Sequence, residues 1–153
     1  MTQFMRVAIV EAELARDEGE IPVGAVVVLN DKIIGRGHNR VEALNDPTAH
    51  AEIIAITSAC TFLSDQKLKD ATLYVTLEPC PMCAGAIMLS RIKKCVYGAS
   101  DPIMGSLNSR YNIRRPELEV LDGVFSEECS KLLKEFFKKR RRKMIYFSGR
   151  SNQ

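Results

Sequence analysis

Ala71-Thr72-Leu73-Tyr74-Val75-Thr76-Leu77-Glu78-Pro79-Cys80-Pro81-Met82-Cys83 carries the chain from one periodicity into another. Ala71 to Leu77 is rich in β-branched and aromatic residues and reads as a strand. Pro79 interrupts it. From Met82 to Ile92 the apolar residues Ala86, Ile87, Met88 and Leu89 return at helical spacing, and Lys94 to Ala99 reads as a strand again. A helix between two strands implies a parallel pair, so this unit points to an α/β fold.

Elements of the same two kinds extend outward from this unit. Thr2 to Asp17 has helical spacing through Val7, Val10, Leu14 and the neighbouring alanines, with Thr2 available as an N-cap. Val23 to Leu29, Asn30-Asp31 and Lys32 to Arg36 read as a tight hairpin, because Asn and Asp tolerate the left-handed turn conformation. Gly37 to Thr48 is polar, contains Pro47 and reads as a loop, whereas Ala49 to Cys60 is helical again and puts His50 in a first turn. Leu118 to Leu121 reads as a short fifth strand and Ser126 to about Arg142 as a closing helix. The 98 to 117 connection is long enough for a parallel crossover. The expected architecture is a mixed five-stranded sheet, with an antiparallel hairpin at its edge and helices on both faces.

The bulk properties suit that reading. A chain of 153 residues fits one domain, and 46% hydrophobic with 27% charged residues is ordinary for a globular protein. No apolar stretch suggests a membrane span. Arg6, Glu11 and Glu13 break the first fifteen residues too often for a secretory signal, so a cytoplasmic location is expected. Of five cysteines, Cys80 and Cys83 form a C-x-x-C pair, which in a reducing compartment points to metal or redox use before disulfides. Cys60, Cys95 and Cys129 lie in apolar segments and read as buried free thiols.

His50-Ala51-Glu52 precedes the cysteine pair, with Glu52 28 positions before Cys80. A catalytic zinc takes three protein ligands and keeps its fourth position for water, whose pKa it lowers to about 7. His50, Cys80 and Cys83 supply such a set, and their places at predicted helix starts favour the thiolate form. Glu52 is close enough to reach the open position without binding the metal, where it can act first as base and then as acid. A closed structural zinc would need a fourth ligand. Cys60, ten residues along the same helix from His50 and so about 15 Å away, cannot reach, while Cys95 and Cys129 stay conceivable.

The combination H-x-E and P-C-x-x-C is the signature of zinc-dependent nucleobase deaminases. Beyond it, the chain resembles the bacterial tRNA-specific adenosine deaminases, a branch of the cytidine deaminase superfamily. The resemblance rests on Glu20-Ile21-Pro22-Val23-Gly24-Ala25, Gly37-His38-Asn39-Arg40, Asn45 to Ile53, Thr76 to Ala86, Gly123-Val124-Phe125 and Cys129 to Arg142. It implies a cytidine deaminase-like three-layer α/β/α sandwich with one Zn2+ per subunit. It also implies a homodimer that converts the wobble adenosine of a tRNA anticodon stem-loop to inosine. By the same resemblance Asn39 and the Ala51 backbone N–H contact the base, and Asp101 begins a loop beside the substrate nucleotide. From the residues alone, Asn39 also reads as a turn residue and Asp101 as the starter of an Asp-Pro turn. His38 reads as a loop residue near the site. Asp101 to Asn112 is shorter than the loop usual in that family, and Arg114-Arg115-Pro116-Glu117 replaces its usual approach to the fifth strand.

The net charge is only +3, but six consecutive basic residues run from Lys138 to Lys143. On a helix, Lys138 and Arg142 put like charges on adjacent turns, a mild strain that phosphates would relieve. A solvated helix end, favourable to the dipole, is the plainer alternative. Phe136, Phe137, Tyr146 and Phe147 could stack on bases, although the first two are expected to pack in the core. A free-base or nucleoside deaminase of guanine or cytosine type is the first rival reading. A non-catalytic zinc-stabilised RNA-binding module is the second, and it would not need Glu52.

Overall fold

Asn30 and Asp31 both adopt positive φ, 51° and 60°, the conformation a two-residue hairpin turn demands. They join β1 (Gly24–Leu29) to β2 (Lys32–His38) in antiparallel register, with Gly24 opposite His38. The computed structural model describes residues 2 to 150, with side chains as far as residue 144. The side chains of Tyr146 and Phe147 therefore lie outside the described residues. The remaining elements are α1 (Thr2–Asp17), α2 (Val41–Leu44), α3 (Ala51–Leu63), β3 (Thr72–Leu77), α4 (Pro81–Leu89), β4 (Lys94–Ala99), β5 (Glu119–Leu121) and α5 (Ser126–Arg150).

The five strands run in the order β2-β1-β3-β4-β5. β1 is antiparallel to both β2 and β3, whereas β3, β4 and β5 are mutually parallel, which makes the mixed sheet with its hairpin at one edge. Because strand side chains alternate between faces, the sheet builds two cores. Ala25, Val27, Leu73, Val75, Cys95 and Tyr97 meet Ala55, Ala59, Ala84 and Ile87 of α3 and α4. Val26, Val28, Tyr74 and Val96 meet Met5, Ala8, Ile9 and Cys129 of α1 and α5. The α/β/α sandwich expected from the sequence is the fold.

Small residues set how closely the helices approach. Of the apolar positions whose spacing marks α1, the alanines Ala8, Ala12 and Ala15 are buried, with Met5 and Ile9, whereas Val10 and Leu14 are exposed. A Cβ on Gly24 would collide with the backbone of Ala8 and Ala12, so α1 lies directly on β1 at that point, with the longer Met5 and Ile9 packed beside it. Gly37 does the same for α3: a Cβ there would sit 2.5 Å from the Ala51 carbonyl oxygen.

Three expectations change in detail. The 37 to 48 stretch is not one loop, since β2 runs on to His38 and four residues form α2, whose first amides are held from outside. α4 ends at Leu89 because the Ser90 hydroxyl turns back onto the Ala86 and Ile87 carbonyls and Arg91 takes φ 63°. Phe136 and Phe137 do not enter the core. Phe136 is half-buried and Phe137 exposed, and their rings pair edge to face at 5.6 Å on α5, outside both core clusters.

Candidate active site

Two helix starts converge at the carboxyl end of β3. His50 is the N-cap of α3 and Cys80 the N-cap of α4, each extended in backbone and neither using its side chain as a cap. N-cap positions usually hold Ser, Thr, Asn or Asp because an oxygen there satisfies a free amide. Here the cap side chains turn toward each other instead. Pro81 at the first helical position of α4 is preorganised for the helix and carries no N–H to satisfy. Cys83, one turn into α4, is fully buried.

His50 Nδ1 lies 3.6 Å from Cys80 Sγ and 3.5 Å from Cys83 Sγ, and the three ligand atoms all lie within 4.8 Å of one another. A tetrahedral zinc with bonds of about 2.0–2.1 Å to nitrogen and about 2.3 Å to sulfur holds those atoms about 3.5 Å apart. The donor set and its spacing therefore fit Zn2+. Among the described residues no fourth His, Cys, Asp or Glu joins the group, so the Cys95 and Cys129 thiols stay out of it. Both are buried and free, as expected, whereas free Cys60 is only half-buried.

The electrostatics favour metal capture. The hydrogen bond from Cys83, together with that from His50, holds the Cys80 thiol down to about 4. The same hydrogen bond, and burial, push the Cys83 thiol up, so the pair without metal carries one negative charge. His50 is raised by its bond to Cys80. Glu52, in the first turn of α3 and 4% exposed, has its carboxyl pushed above the usual range by burial.

These residues surround a cavity of about 250 Å³. His50, Glu52 and Cys80 form one side; Asn39, Ala51 and Asp101 border it, with Ile21, Val23, Leu77 and Met104 as apolar walls. Every site residue expected from the sequence, apart from the buried Cys83, thus reaches one space. Asn39 also has the turn role, since its Oδ1 accepts the Val41 amide at 3.2 Å. Asp101 does likewise, its Oδ1 accepting the Ile103 and Met104 amides at 3.0 and 3.2 Å. His38 is not in a loop and does not line the cavity. It ends β2, its Nδ1 2.9 Å from Glu11 and its Nε2 3.0 Å from Glu18.

Two buried carboxylates escape a reading of the sequence. Glu20, 1% exposed, accepts the first amides of α2, Glu42 and Ala43, each at 2.9 Å, and so supports the Asn39 side of the cavity. Glu78, on the opposite side, accepts amides from the segment that carries Asp101 and Met104. Each is a glutamate beside a proline-containing motif, but neither has a local pattern that announces distant amides as partners.

A family model described as the cytidine and deoxycytidylate deaminase zinc-binding region matches residues 1–99. Fold and site together thus define a zinc-binding deaminase domain of the cytidine deaminase type. The chain is 48% identical over 151 residues to a tRNA-specific adenosine deaminase of Bacillus subtilis (strain 168), with 94% of each covered. It also aligns with a solved structure from a study of A-to-I editing by tRNA deaminases at the wobble position, with TM-score 0.82 and 43% identity, covering 87% of this chain and all 100% of that one. A guanine deaminase structure from Bacillus subtilis aligns with TM-score 0.61 and 45% identity over 64% of this chain and 63% of that one. The chain belongs to the family of tRNA-specific adenosine deaminases.

Proposed function

We propose that residues 1 to 153 form one zinc-dependent deaminase domain that hydrolyses the wobble adenosine of a tRNA anticodon stem-loop to inosine. His50, Cys80 and Cys83 hold one Zn2+ per subunit. Glu52 carries the protons, Asn39 and the Ala51 N–H bind the base, and Asp101 borders the nucleotide. The observation that carries this reading is the convergence of the zinc-compatible triad, the buried Glu52 and the three binding residues on one small cavity. At about 250 Å³ the space is below the roughly 300–1,000 Å³ of drug-sized ligand sites, which suits a single flipped base.

Zinc, when bound in such a site, makes hydroxide available at neutral pH. Glu52 accepts a proton from the attacking water and gives it to N1 of the adenine as charge builds on that nitrogen. It then takes the proton of the hydroxyl now on C6 and passes it to the departing amine, so the C6–N bond breaks, ammonia leaves and a carbonyl remains. Burial raises the carboxyl above its usual range, the direction that favours its holding a proton between the two transfers. The Ala51 N–H belongs to the first turn of α3, where amides have no partner within the helix and can meet a base acceptor.

The homodimer and a cytoplasmic location belong to the same proposal. α4 is apolar on all sides, yet Leu89 is 78% exposed and Met82 is exposed on its outer face. A helix of that kind is normally covered, and a second subunit would cover it. Among the described residues no helix is long and apolar enough to cross a membrane.

An ammonia-release assay of zinc-loaded protein on an adenosine-bearing anticodon stem-loop, free guanine, cytosine and cytidine tests the substrate. Turnover of the RNA alone is expected. Turnover of guanine with none on the RNA would transfer the assignment to the guanine-type reading that the second solved structure favours.

A further inference from the structure

Glu78 is 2% exposed, and its carboxylate is occupied entirely by one segment of chain. Oε1 accepts the Asp101 amide at 3.2 Å and the Ser109 hydroxyl, while Oε2 accepts the amides of Leu107, Asn108 and Ser109 at 3.1, 2.8 and 3.1 Å. The next residue joins in, because the Pro79 carbonyl accepts the Ser106 amide at 2.9 Å. The following one is Cys80. Two consecutive residues thus tie segment 101 to 109 to the start of α4, and that segment contributes Asp101 and Met104 to the cavity.

Besides these bonds the segment is held by the Leu107 side chain in the core and by the Asn108 side-chain amide, which donates to the Tyr97 hydroxyl at 3.4 Å. It contains no helix or strand, and Ile103 and Met104 are exposed. Ser106 and Leu107 are fully buried, so their backbone must find partners inside the protein. Gly105 lies so close that a Cβ on it would stand 2.4 Å from the Asp101 carbonyl oxygen and 2.5 Å from the Glu78 carboxylate. A charged acceptor with several short amide bonds is stronger than the neutral bonds of an ordinary turn.

We infer that Glu78 is a positioning residue for substrate: its carboxylate holds segment 101 to 109 in place as one wall of the base cavity and thereby governs RNA affinity. The substrate part rests on the proposed function; the structural part does not. Glu78 touches no reacting atom. Its loss frees the wall that bears Asp101 and Met104 while leaving the His50, Cys80, Cys83 and Glu52 constellation in place.

The test uses zinc-loaded wild type, Glu78→Gln, Gly105→Ala and the double variant. Glu78→Gln replaces one acceptor oxygen by a donor facing donors, and Gly105→Ala crowds both the carboxylate and the Asp101 carbonyl, displacing the segment while the Glu78 side chain stays intact. Hydrogen exchange at the amides of Asp101, Leu107, Asn108 and Ser109 is expected to accelerate at least ten-fold in both single variants, with zinc content and α3 protection unchanged. KM for the anticodon stem-loop rises about ten-fold and kcat falls less, and the double variant is no worse than the worse single one, because both break the same contact. Unchanged exchange in both variants would overturn the inference, as would faster exchange with KM unmoved. If Glu78→Gln fails to fold, Gly105→Ala alone decides. A wild type inactive on RNA refutes the functional proposal, and the exchange result still judges the structural one.

Discussion

Glu52 and Glu78 are both buried glutamates in this small cavity, and their surroundings give them different work. Glu52 lies two residues from His50, so the spacing of the motif is enough to place it beside the metal. Glu78 acts through amides 23 to 31 residues further along the chain, and nothing local in the sequence marks that. Glu52→Gln keeps the shape but cannot carry protons, and general acid–base catalysis of this kind is worth about 10²–10⁴-fold. A kcat loss of that size with one zinc per chain retained is the expected result; a variant that keeps its rate would remove Glu52 from the mechanism. The thiols supply a second prediction. After chelation of zinc, Cys80, held down to about 4, is already a thiolate across pH 6 to 8, whereas burial pushes Cys129 up to about 11 and raises Cys60 and Cys95. Iodoacetamide labels Cys80 first, at a rate nearly flat over that range, and zinc blocks it. Peptide mapping that finds Cys60 first, or a rate climbing ten-fold per pH unit, would contradict this assignment.

At the scale of elements, the site depends on α3 lying hard against β2. Gly35 and Gly37 leave room for the backbone of α3, and the Ala51 carbonyl packs where a Cβ of residue 37 would be. The start of α3, with His50 as its cap, is therefore positioned by glycines on the neighbouring strand. Periodicity locates helices and strands, and the Asn30-Asp31 turn is legible because few residues tolerate its conformation. Which face of a helix packs is less legible. Val10, Leu14 and the alanines all fit the period of α1 in the sequence, but Gly24 draws the helix so close that Ala8 and Ala12 go inward, with Met5 and Ile9, and Val10 and Leu14 stay outside. The four-residue α2 has too little length to show a period, and its amides depend on Glu20 from another segment. Gly37→Ala overpacks this contact, a change worth about 1–3 kcal/mol. At about 2–4 °C per kcal/mol for a chain of this size, melting should fall by roughly 2–12 °C. Zinc affinity should fall with it, because the His50 end of α3 must move. A melting curve coincident with wild type would mean that α3 can shift freely, contrary to its close packing on Gly37.

Across the whole molecule, the basic stretch touches α2, the element that follows the cavity edge, although almost a hundred residues separate Arg140 from Glu42 in the sequence. α5 runs across the face that holds α1, and all six residues from Lys138 to Lys143 are exposed. Arg140 reaches to within 3.8 Å of Glu42 on α2, and α2 directly follows Asn39 at the cavity edge. Lys139, Arg140 and Lys143 also line a second cavity, about 440 Å³, with Arg16 from the end of α1. Like charges crowded on adjacent turns cost stability unless counter-charge relieves them. A polyanion threaded past α2 toward the small cavity would do so. The charge run is visible in the sequence but its route is not, since only the fold brings Arg140 to Glu42 of α2. Each phosphate neutralised on a single strand contributes about −0.7 to the slope of log K against log salt. Replacing Lys139, Arg140 and Lys143 by Gln should thus weaken binding of the anticodon stem-loop at low salt and flatten that slope by up to about 2. The solvated-end alternative gives the opposite result: an unaltered slope and affinity in a titration across salt concentrations would confine RNA recognition to the cavity and its two walls.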